Sequence, residues 1–224
     1  MTKREIIYSV FEKLKILTDD SDLTEEFISS LIDSKRAMLL KQQFGKSPWD
    51  MPLQAQQEIC LTLEVADAID GVTCFGKILR SKLKLPSSVK IRGKQGPLLV
   101  RKMDRMQISI NIVPIERLPF LGHNQFLANQ LYAAVDYDGK LYLFSNNSSH
   151  MFLSALKVTD VFEAPDNATE MSCDTEFSYI DPWDQDYPIE SAMVDPLVNI
   201  IMQELTKTLS LPQDNVNDAE DARN

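Results

Sequence analysis

Side chains that commonly carry out catalysis are few in this sequence of 224 residues. It has two histidines, His123 in PFLGHNQF and His150 in NSSHMF, and neither has a carboxylate or cysteine at ligand spacing. A general base needs a partner within reach, so we interpret both as surface or turn histidines. The motifs GxGxxG, GxxxxGK(S/T), HExxH and GxSxG do not occur, which leaves nucleotide binding and the common hydrolase mechanisms without support. We therefore expect a protein that is not an enzyme and needs no cofactor.

Three aspartates in DPWDQDYP, at positions 181, 184 and 186, resemble the ligands of a hard cation. A calcium-binding EF-hand loop starting at Asp181 would require glycine at its sixth position and glutamate at its twelfth. Those positions hold Asp186 and Ala192. We therefore expect no metal site, but an acidic loop that is solvated or faces a basic partner.

The three cysteines, Cys60, Cys74 and Cys173, are an odd number and form no CxxC pair. This pattern predicts reduced thiols in a cytoplasmic compartment, with neither a zinc site nor a disulfide.

Positive charge is concentrated between residues 77 and 105, where there are ten basic residues and one acid. The ten are Lys77, Arg80, Lys82, Lys84, Lys90, Arg92, Lys94, Arg101, Lys102 and Arg105. Alternate positions of a strand project from one face, so this segment could be a solvated face, a DNA contact or a docking site for an acidic protein surface. It has no aromatic residue for stacking on single strands, so DNA contact would use backbone phosphates alone.

Negative charge is concentrated between residues 160 and 190, where there are ten acids and no lysine or arginine. The acids expected at an interface are Asp160, Glu163, Glu170, Asp174, Glu176, Asp181, Asp184 and Asp186. An acidic and a basic segment on one chain can pair within a subunit or between copies, and heterologous pairing between copies closes into rings when the rotation permits. Both arrangements remain open at this point.

The elements that carry these charges follow from hydrophobic periodicity. Apolar residues recur at helical spacing over residues 2–43, interrupted by the polar turn at residues 19–22, which predicts a helical hairpin. Thr2 and Glu5 have capping-box spacing, and Asp22 or Thr24 could cap the second helix. A last helix is predicted with its start at Asp195-Pro196.

The middle of the chain instead alternates apolar and polar residues. This period of two predicts strands over residues 59–65, 79–85 and 106–112, and another strand that ends at Pro165. Asp138-Gly139 between two apolar runs predicts a hairpin with a two-residue type I′ turn.

The order of these elements predicts an α+β fold with an N-terminal α-hairpin, a mostly antiparallel sheet and a C-terminal helix. We divide the chain into a helical hairpin at 1–46, a β-rich region at 47–190, a helix at 191–211 and a flexible polar tail at 212–224, all in one domain. No apolar run approaches the ~20 residues that span a bilayer, so we expect no membrane partner.

Six blocks of the sequence, taken in order, resemble the head–tail neck or ring proteins of crAss-like tailed bacteriophages. They lie at residues 1–44, 57–64 (QEICLTLE), 115–126 (IERLPFLGHNQF), 132–145 (YAAVDYDGKLYLFS), 157–165 (KVTDVFEAP) and 182–205. The resemblance excludes the 85–100 loop and the tail after Leu211. No block is a signature of chemistry, so the specificity comes from their order.

The resemblance implies a virion protein made in the host cytoplasm and located at the head–tail interface. Its partners would be copies of itself in a twelvefold ring, the portal protein and other neck or tail proteins, with non-specific contact to packaged DNA where the ring lines the exit channel. The alternative is a soluble adaptor, or an assembly-chaperone-like module, that binds a single protein partner.

Overall fold

The computed structural model of the protein describes residues 1–15, 23–45, 51–66, 75, 77–90, 96–103, 109–169, 171, 173 and 181–209. Sequence predictions on the remaining residues, such as the polar tail at 212–224 and the first residues of the strand expected at 106–112, lie outside this part of the chain.

The predicted helical hairpin is confirmed, with α1 at Lys3–Lys15 and α2 at Glu25–Phe44. The capping box forms as expected, because the Thr2 amide donates to Glu5 Oε2 at 2.9 Å and the Glu5 amide donates to Thr2 Oγ1 at 3.2 Å. Thr24 caps α2 by accepting from the Phe27 amide at 3.3 Å. Both helix starts were therefore predictable from local side-chain chemistry.

The last helix, α5, spans Ser191–Leu209 and packs against both α1 and α2. The start marked by Asp195-Pro196 was wrong, because Pro196 lies inside the helix, five residues after Ser191, instead of at its first position. Proline there removes the hydrogen bond that its amide would donate to the Ala192 carbonyl, and its ring crowds that carbonyl. An apolar stripe of α5 is buried between the three helices, at Val194, Leu197, Val198, Ile201 and Leu205.

Seven strands close into a barrel in the order β1-β2-β6-β5-β4-β3-β7. The strands are β1 Gln57–Ala66, β2 Lys77–Ser81, β3 Leu99–Lys102, β4 Ser109–Ile112, β5 Tyr132–Val135, β6 Leu141–Ser145 and β7 Ala155–Asp160. Of the seven strand pairs found in the described chain, six are antiparallel and one, β4 with β5, is parallel. The α+β class and the mostly antiparallel sheet are confirmed, while closure into a barrel was not predicted.

Two strands allow the barrel to close because each passes from one sheet to the other. The first part of β1, residues 57–62, pairs with β7, and its second part, residues 63–66, pairs with β2. In the same way, β4 pairs with β3 at residues 109–110 and with β5 at residues 111–112. The barrel therefore consists of two sheets that share β1 and β4, and its interior is filled by apolar side chains such as Leu61, Leu143 and Val158.

The basic strand is shorter than predicted, because β2 ends at Ser81 and the alternation at 82–85 continues outside the sheet. The Lys82 amide still donates to the Thr62 carbonyl at 3.0 Å, so contact with β1 extends one residue past the end of β2. The hairpin between β5 and β6 also differs in detail. The Asp136 amide donates to the Lys140 carbonyl at 3.1 Å across a three-residue loop, in which Gly139 has a positive φ of +79°.

The connection from β4 to β5 covers the outer face of one sheet. It contains a 3-10 helix at Ile115–Arg117 and α3 at Leu118–His123. Leu118 is buried against outward-facing aromatic side chains of the sheet, including Phe144 and Tyr132. Other 3-10 helices lie at Leu53–Ala55, Ser148–Phe152 and Pro182–Asp184, and the short α4 lies at Pro165–Thr169. No helix among the described residues has the length and apolarity needed to cross a membrane.

The expectation of three reduced thiols is wrong, because Cys60 on β1 and Cys173 after α4 form a disulfide. They are separated by 113 positions in sequence, and their Cα atoms are 4.9 Å apart. An odd cysteine count gave no sign of this pair, since only the fold brings two such distant residues together.

Candidate assembly surfaces

Arg80 on β2 forms an ion pair within the subunit. It lies opposite Glu64 in the β1–β2 register, and its Nε donates to Glu64 Oε1 at 2.7 Å. That hydrogen bond raises the pKa of Arg80 and lowers the pKa of the Glu64 carboxyl. The charge of Arg80 is therefore already compensated within the subunit, although the sequence predicted it to point toward a partner with Lys82 and Lys84.

Lys82, Lys84 and Lys90 are the predicted basic residues that the structure places at an exposed surface. Lys82 and Lys84 follow the end of β2, and Leu83 between them is also exposed. We call these two lysines with Leu83 the basic edge. Its charges project from a loop at the barrel rim, which leaves them accessible to an acidic partner.

Arg101 on β3 contributes to a second group of charges, on the outer face of the sheet formed with β7. It donates to Glu58 Oε2 at 2.9 Å and to Thr159 Oγ1 at 3.2 Å, and Lys157 donates to Glu58 Oε1 at 2.7 Å. Lys102 is half-buried in the same strand. Of the remaining predicted basic residues, Lys77 is placed by its backbone at the start of β2, whereas Arg92, Lys94 and Arg105 lie outside the described residues.

Asp160 does not belong to an exposed acidic surface, because its side chain is buried at the end of β7. Its carboxylate accepts hydrogen bonds from the Ser88 hydroxyl and, at 2.8 Å, from the Val161 amide. Burial raises the pKa of Asp160 to about 7. The sequence could not reveal this burial, because Asp160 is the last residue of β7 and its side chain could have faced either solvent or the protein interior.

The predicted acidic loop is attached to the N-terminus of the chain. Arg4 donates through Nε to Asp184 Oδ1 at 2.5 Å and through Nη2 to Asp181 Oδ2 at 2.8 Å. The N-terminal ammonium is 3.3 Å from Asp186 Oδ1, and the Tyr187 amide donates to the Met1 carbonyl at 3.0 Å. The exposed loop is therefore paired with Arg4 and the N-terminal ammonium, and its ion pairs in the described chain include none with the described residues of the basic segment.

Glu163 is exposed beside the barrel, and Glu170, Asp174 and Glu176 lie outside the described residues. The basic and acidic segments do meet within the subunit, but through their backbones. The Val89 amide donates to the Val161 carbonyl and the Glu163 amide donates to the Ser87 carbonyl, both at 2.8 Å. Among the residues that the structure describes, no ion pair joins the two segments.

A buried polar network joins the helices to the barrel, and the sequence reasoning missed it. The Lys3 ammonium donates to Asp33 Oδ2 at 2.9 Å and to Asp166 Oδ2 at 2.7 Å, and the Tyr187 hydroxyl donates to Asp33 Oδ1 at 2.8 Å. Burial raises the pKa of the Tyr187 hydroxyl well above its ordinary value, so this group remains a hydrogen-bond donor at neutral pH. The sequence did contain one signal of this network. Lys3 precedes the apolar residues Ile6 and Ile7 by one helical turn, so it lies on the same buried face of α1.

Arg36 on α2 is fully buried and forms the second part of this network. Its guanidinium donates to three backbone carbonyls, those of Pro188 at 2.7 Å, Phe162 at 2.9 Å and Ala55 at 3.0 Å. Its carbon Cζ lies 5.6 Å from the centre of the Tyr187 ring. One side chain thus connects α2 to the barrel and to the segment that leads into α5, which fixes the helices relative to the charged surfaces.

Exposed phenylalanines form an apolar feature that the sequence analysis also missed. Phe120 on α3, Phe126 in the following loop and Phe152 at the end of a 3-10 helix are 73%, 88% and 84% exposed. The loops carrying Phe126 and Phe152 are close neighbours, since the Asn146 amide donates to the Ala128 carbonyl at 2.8 Å. Single exposed apolar residues are common, but several on neighbouring loops are typical of a contact surface.

The two histidines have surroundings that fit a structural role. His123 is exposed at the end of α3. His150 Nδ1 lies 3.0 Å from Ser145 Oγ, which also accepts from the Asn147 amide and contacts the Asn129 carbonyl. Burial lowers the pKa of His150. The serine therefore stabilises a loop, and in the described part of the chain its hydroxyl contacts two backbone groups and the imidazole, without the carboxylate that orients a catalytic histidine.

Comparison with known proteins supports an assembly role. A sequence model described as phage tail ring protein 2 matches residues 5–223. The chain is 35% identical to Ring protein 2 of Bacteroides phage crAss001 over 223 residues, which cover 99% of this chain and 97% of that protein. The resemblance noted in the sequence is confirmed, and it extends over the 85–100 loop and the tail, which the six blocks did not cover.

Proposed function

Because the chain belongs to the phage tail ring protein 2 family, we propose that it forms a ring at the head–tail interface of the virion and acts there as a structural, non-enzymatic connector. The observation that carries this proposal is the match over nearly the whole chain to a protein named for its ring. The fold agrees with such a role, because a barrel braced by three helices presents charged and apolar loops in fixed positions.

The ring itself is proposed to contain twelve copies in heterologous contact, with each subunit using one surface toward one neighbour and a different surface toward the other. The basic edge, at Lys82 to Lys84, is one of these surfaces. Its charged counterpart on the next subunit is proposed to be one or more of the exposed acids Glu163, Asp184 and Asp186. The last two already contact Arg4 and the N-terminal ammonium of their own subunit, so a contact with the next copy would share these carboxylates. Exposed ion pairs add little to affinity and are screened by salt, so they set the register of neighbouring copies.

Apolar contacts are proposed to supply most of the stability of the ring. Burying one large apolar side chain contributes about 1.5–3 kcal/mol, which is more than a typical exposed ion pair. Phe126 and Phe152 are exposed and lie on neighbouring loops, so a neighbour could cover both. The phenylalanines would therefore hold the copies together while the charged residues select the partner surface.

We further propose docking on the portal and a place beside the DNA exit channel. Protein is favoured over DNA as the partner of the basic segment, because Arg80 and Arg101 already bind glutamates of the same subunit. If the ring contacts DNA, its affinity must fall with salt, with a log–log slope of about −0.9 per phosphate neutralised. Weak DNA binding that does not depend on salt would exclude DNA and leave a protein as the partner of the basic segment.

The four predicted segments are proposed to form one domain. The core between α1, α2 and α5 includes Val89 and Val161 from the barrel region. Helices from both ends of the chain thus share a core with the β-rich segment.

Quantitative mass spectrometry of purified particles tests the proposed function. The expected result is a fixed ratio of this chain to the portal protein, with twelve copies of each per particle, and density for the ring at the head–tail interface. A chain that binds the portal in lysates but is absent from purified particles would refute the connector and support the single-partner adaptor.

A further inference from the structure

A cavity lies at one end of the β5–β6 hairpin, between the turn that joins the two strands and the segment that follows the basic edge. It has a volume of about 480 Å³ and opens to solvent, and its wall includes Leu85, Pro86, Ser87, Val135, Tyr137 and Gly139. The Leu85 amide donates to the Gly139 carbonyl at 2.8 Å, which fixes the two sides of the cavity relative to each other. We call this space the turn cavity.

The side of the turn cavity that faces the barrel is apolar. Leu85 and Val135 are partly exposed and pack against the core inside the barrel. The core is therefore incompletely covered at this end, and the side chain of Tyr137 beside it is 91% exposed. A group that covered these side chains would remove apolar surface from water, which favours binding.

Polar groups in the wall of the turn cavity already have partners in the same subunit. The Ser88 hydroxyl donates to the Asp160 carboxylate, and Asp136 Oδ1 accepts from the Tyr137 amide at 2.8 Å. The Asp136 carbonyl accepts from the Gly139 amide at 2.9 Å. A site for a polar small molecule needs a few convergent polar groups to orient it. Because these groups are engaged within the subunit, apolar side chains fit the cavity better than a polar ligand does.

Phe126 and Phe152 lie at the opposite end of the same hairpin. Phe126 precedes β5 and Phe152 follows β6, whereas the turn cavity lies where β5 ends and β6 begins. A strand of five residues such as β6 is roughly 15 Å long, which is farther than a phenylalanine side chain reaches. A subunit therefore cannot fill its own turn cavity with these side chains.

The two loops that carry Phe126 and Phe152 are free of formal charge. Residues 124–130 and 146–154 include no aspartate, glutamate, lysine or arginine. Burying an unpaired charge in an apolar site is costly, so the absence of charge allows these loops to enter a cavity. A cavity of about 150 Å³ holds one benzene molecule, and the turn cavity is therefore large enough for both phenyl groups.

We propose that Phe126 and Phe152 of one copy insert into the turn cavity of the next copy and cover Leu85 and Val135 there. A closed ring with heterologous contacts needs two different, complementary surfaces on every subunit. The phenylalanine loops and the turn cavity meet this need, because they lie at opposite ends of one hairpin and match in size and polarity. The inference rests on the proposed ring and names the two surfaces that form its apolar contact.

The first experiment cross-links neighbouring copies in assembled particles. The phage lacking the gene is complemented with a chain carrying Gln125→Cys beside Phe126 and Ser87→Cys in the wall of the cavity, both at exposed positions, and Cys74→Ser. Purified particles are treated with a short bismaleimide, denatured and separated by mass. We expect a ladder of multimers, because each chain links to two neighbours, and a linked peptide that joins position 125 to position 87.

Matched controls separate this contact from accidental proximity. Either cysteine substitution alone should give no ladder beyond a dimer. Gln125→Cys combined with Lys13→Cys, at an exposed position of α1, should also give none. A ladder in that control, or the absence of a ladder from the 125–87 pair in particles that contain the chain, would overturn the inference. A link from position 87 to the portal or to another virion protein would overturn it as well.

The second experiment blocks the turn cavity with Ser87→Trp. Loss of one large buried apolar contact corresponds to an affinity change of at least about tenfold, so particles should contain this variant at about a tenth of the wild-type level or less. Ser34→Trp, at an exposed position of α2, is the control and should enter particles normally. Both variants should keep the wild-type melting temperature. Equal incorporation of the two folded variants would overturn the inference, and if Ser87→Trp fails to fold, the cross-linking result decides.

Failure of the proposed function is recognised separately. Mass spectrometry of the same particles before cross-linking shows whether the wild-type chain is present. Its absence would refute the ring, and the contact between copies with it. A chain that is present at a fixed copy number but never links position 125 to position 87 would refute this contact alone.

Discussion

Replacing Arg36 by methionine should destabilise the protein strongly, although Arg36 contacts no proposed partner surface. Its guanidinium donates to the carbonyls of Ala55, Phe162 and Pro188 and is fully buried. A buried acceptor left without a donor costs about 1–3 kcal/mol, so three carbonyls give an upper range of about 3–9 kcal/mol. Removing a buried charge relieves its desolvation, and we therefore expect a loss of about 3–5 kcal/mol.

Urea unfolding of the purified chain measures this loss. For a slope of about 2.5 kcal/mol/M, the midpoint should fall by about 1–2 M with the slope unchanged. Arg36→Lys keeps the charge but cannot span three carbonyls with one planar group, so its urea midpoint should fall between those of the wild type and Arg36→Met. The matched control is Arg4→Met on α1, because Arg4 binds exposed aspartates and exposed ion pairs contribute little. An Arg36→Met midpoint equal to that of Arg4→Met would refute the reasoning.

Further predictions concern pH, the basic edge and the exposed phenylalanines. The folded state keeps a proton on Asp160 up to about pH 7, whereas the unfolded state releases it near pH 4. Stability from this group is therefore fully present below about pH 4 and is lost as pH rises toward 7. The stability of Asp160→Asn relative to wild type, measured in urea, should increase by at most about 1.4 kcal/mol per pH unit across this range. The double variant with Lys82→Glu and Lys84→Glu should fold normally but enter particles poorly, which complementation of a phage lacking the gene would measure. Phe126→Ser should leave the melting temperature unchanged and reduce incorporation into particles in the same assay.

Each of these predictions has a result that would contradict it. A stability difference for Asp160→Asn that does not change with pH would show that the carboxyl is ionised in the folded protein. Lys13→Glu with Lys15→Glu, at exposed positions of α1, controls for net charge, and equal loss of incorporation would remove the specific role of the basic edge. Normal incorporation of Phe126→Ser would exclude that loop from the contacts between subunits.

Helices and caps were the part of the fold most accessible from sequence. Thr2 with Glu5, and Thr24, act on amides three residues away, so the relevant contacts are visible as short spacings. Alternation likewise located most of β1, and the apolar runs on either side of Asp138-Gly139 located both strands of the β5–β6 hairpin. The end of β2 was misplaced because alternation continues to Leu85, whereas pairing with β1 ends at Ser81 and pairing with β6 ends at Arg80.

The candidate surfaces were only partly accessible from sequence. The clusters of basic and acidic residues could be counted, but the partners of individual charges could not. Arg80 binds Glu64 through a register between strands, and Asp184 binds Arg4 across 180 positions. Such pairs depend on how distant segments pack, so the same charges could have faced solvent.

The sequence by itself therefore determined the helices, most strands, the separation of charge and the family, because these depend on local spacing and on the order of sequence blocks along the chain. Only the tertiary structure decided that the sheet closes into a barrel, that Asp160 and Arg36 are buried, and that Cys60 joins Cys173. The physical reason is that burial and pairing between distant residues are properties of the packed whole. A short segment contains the propensity to form an element, but not the identity of the surface that will cover it.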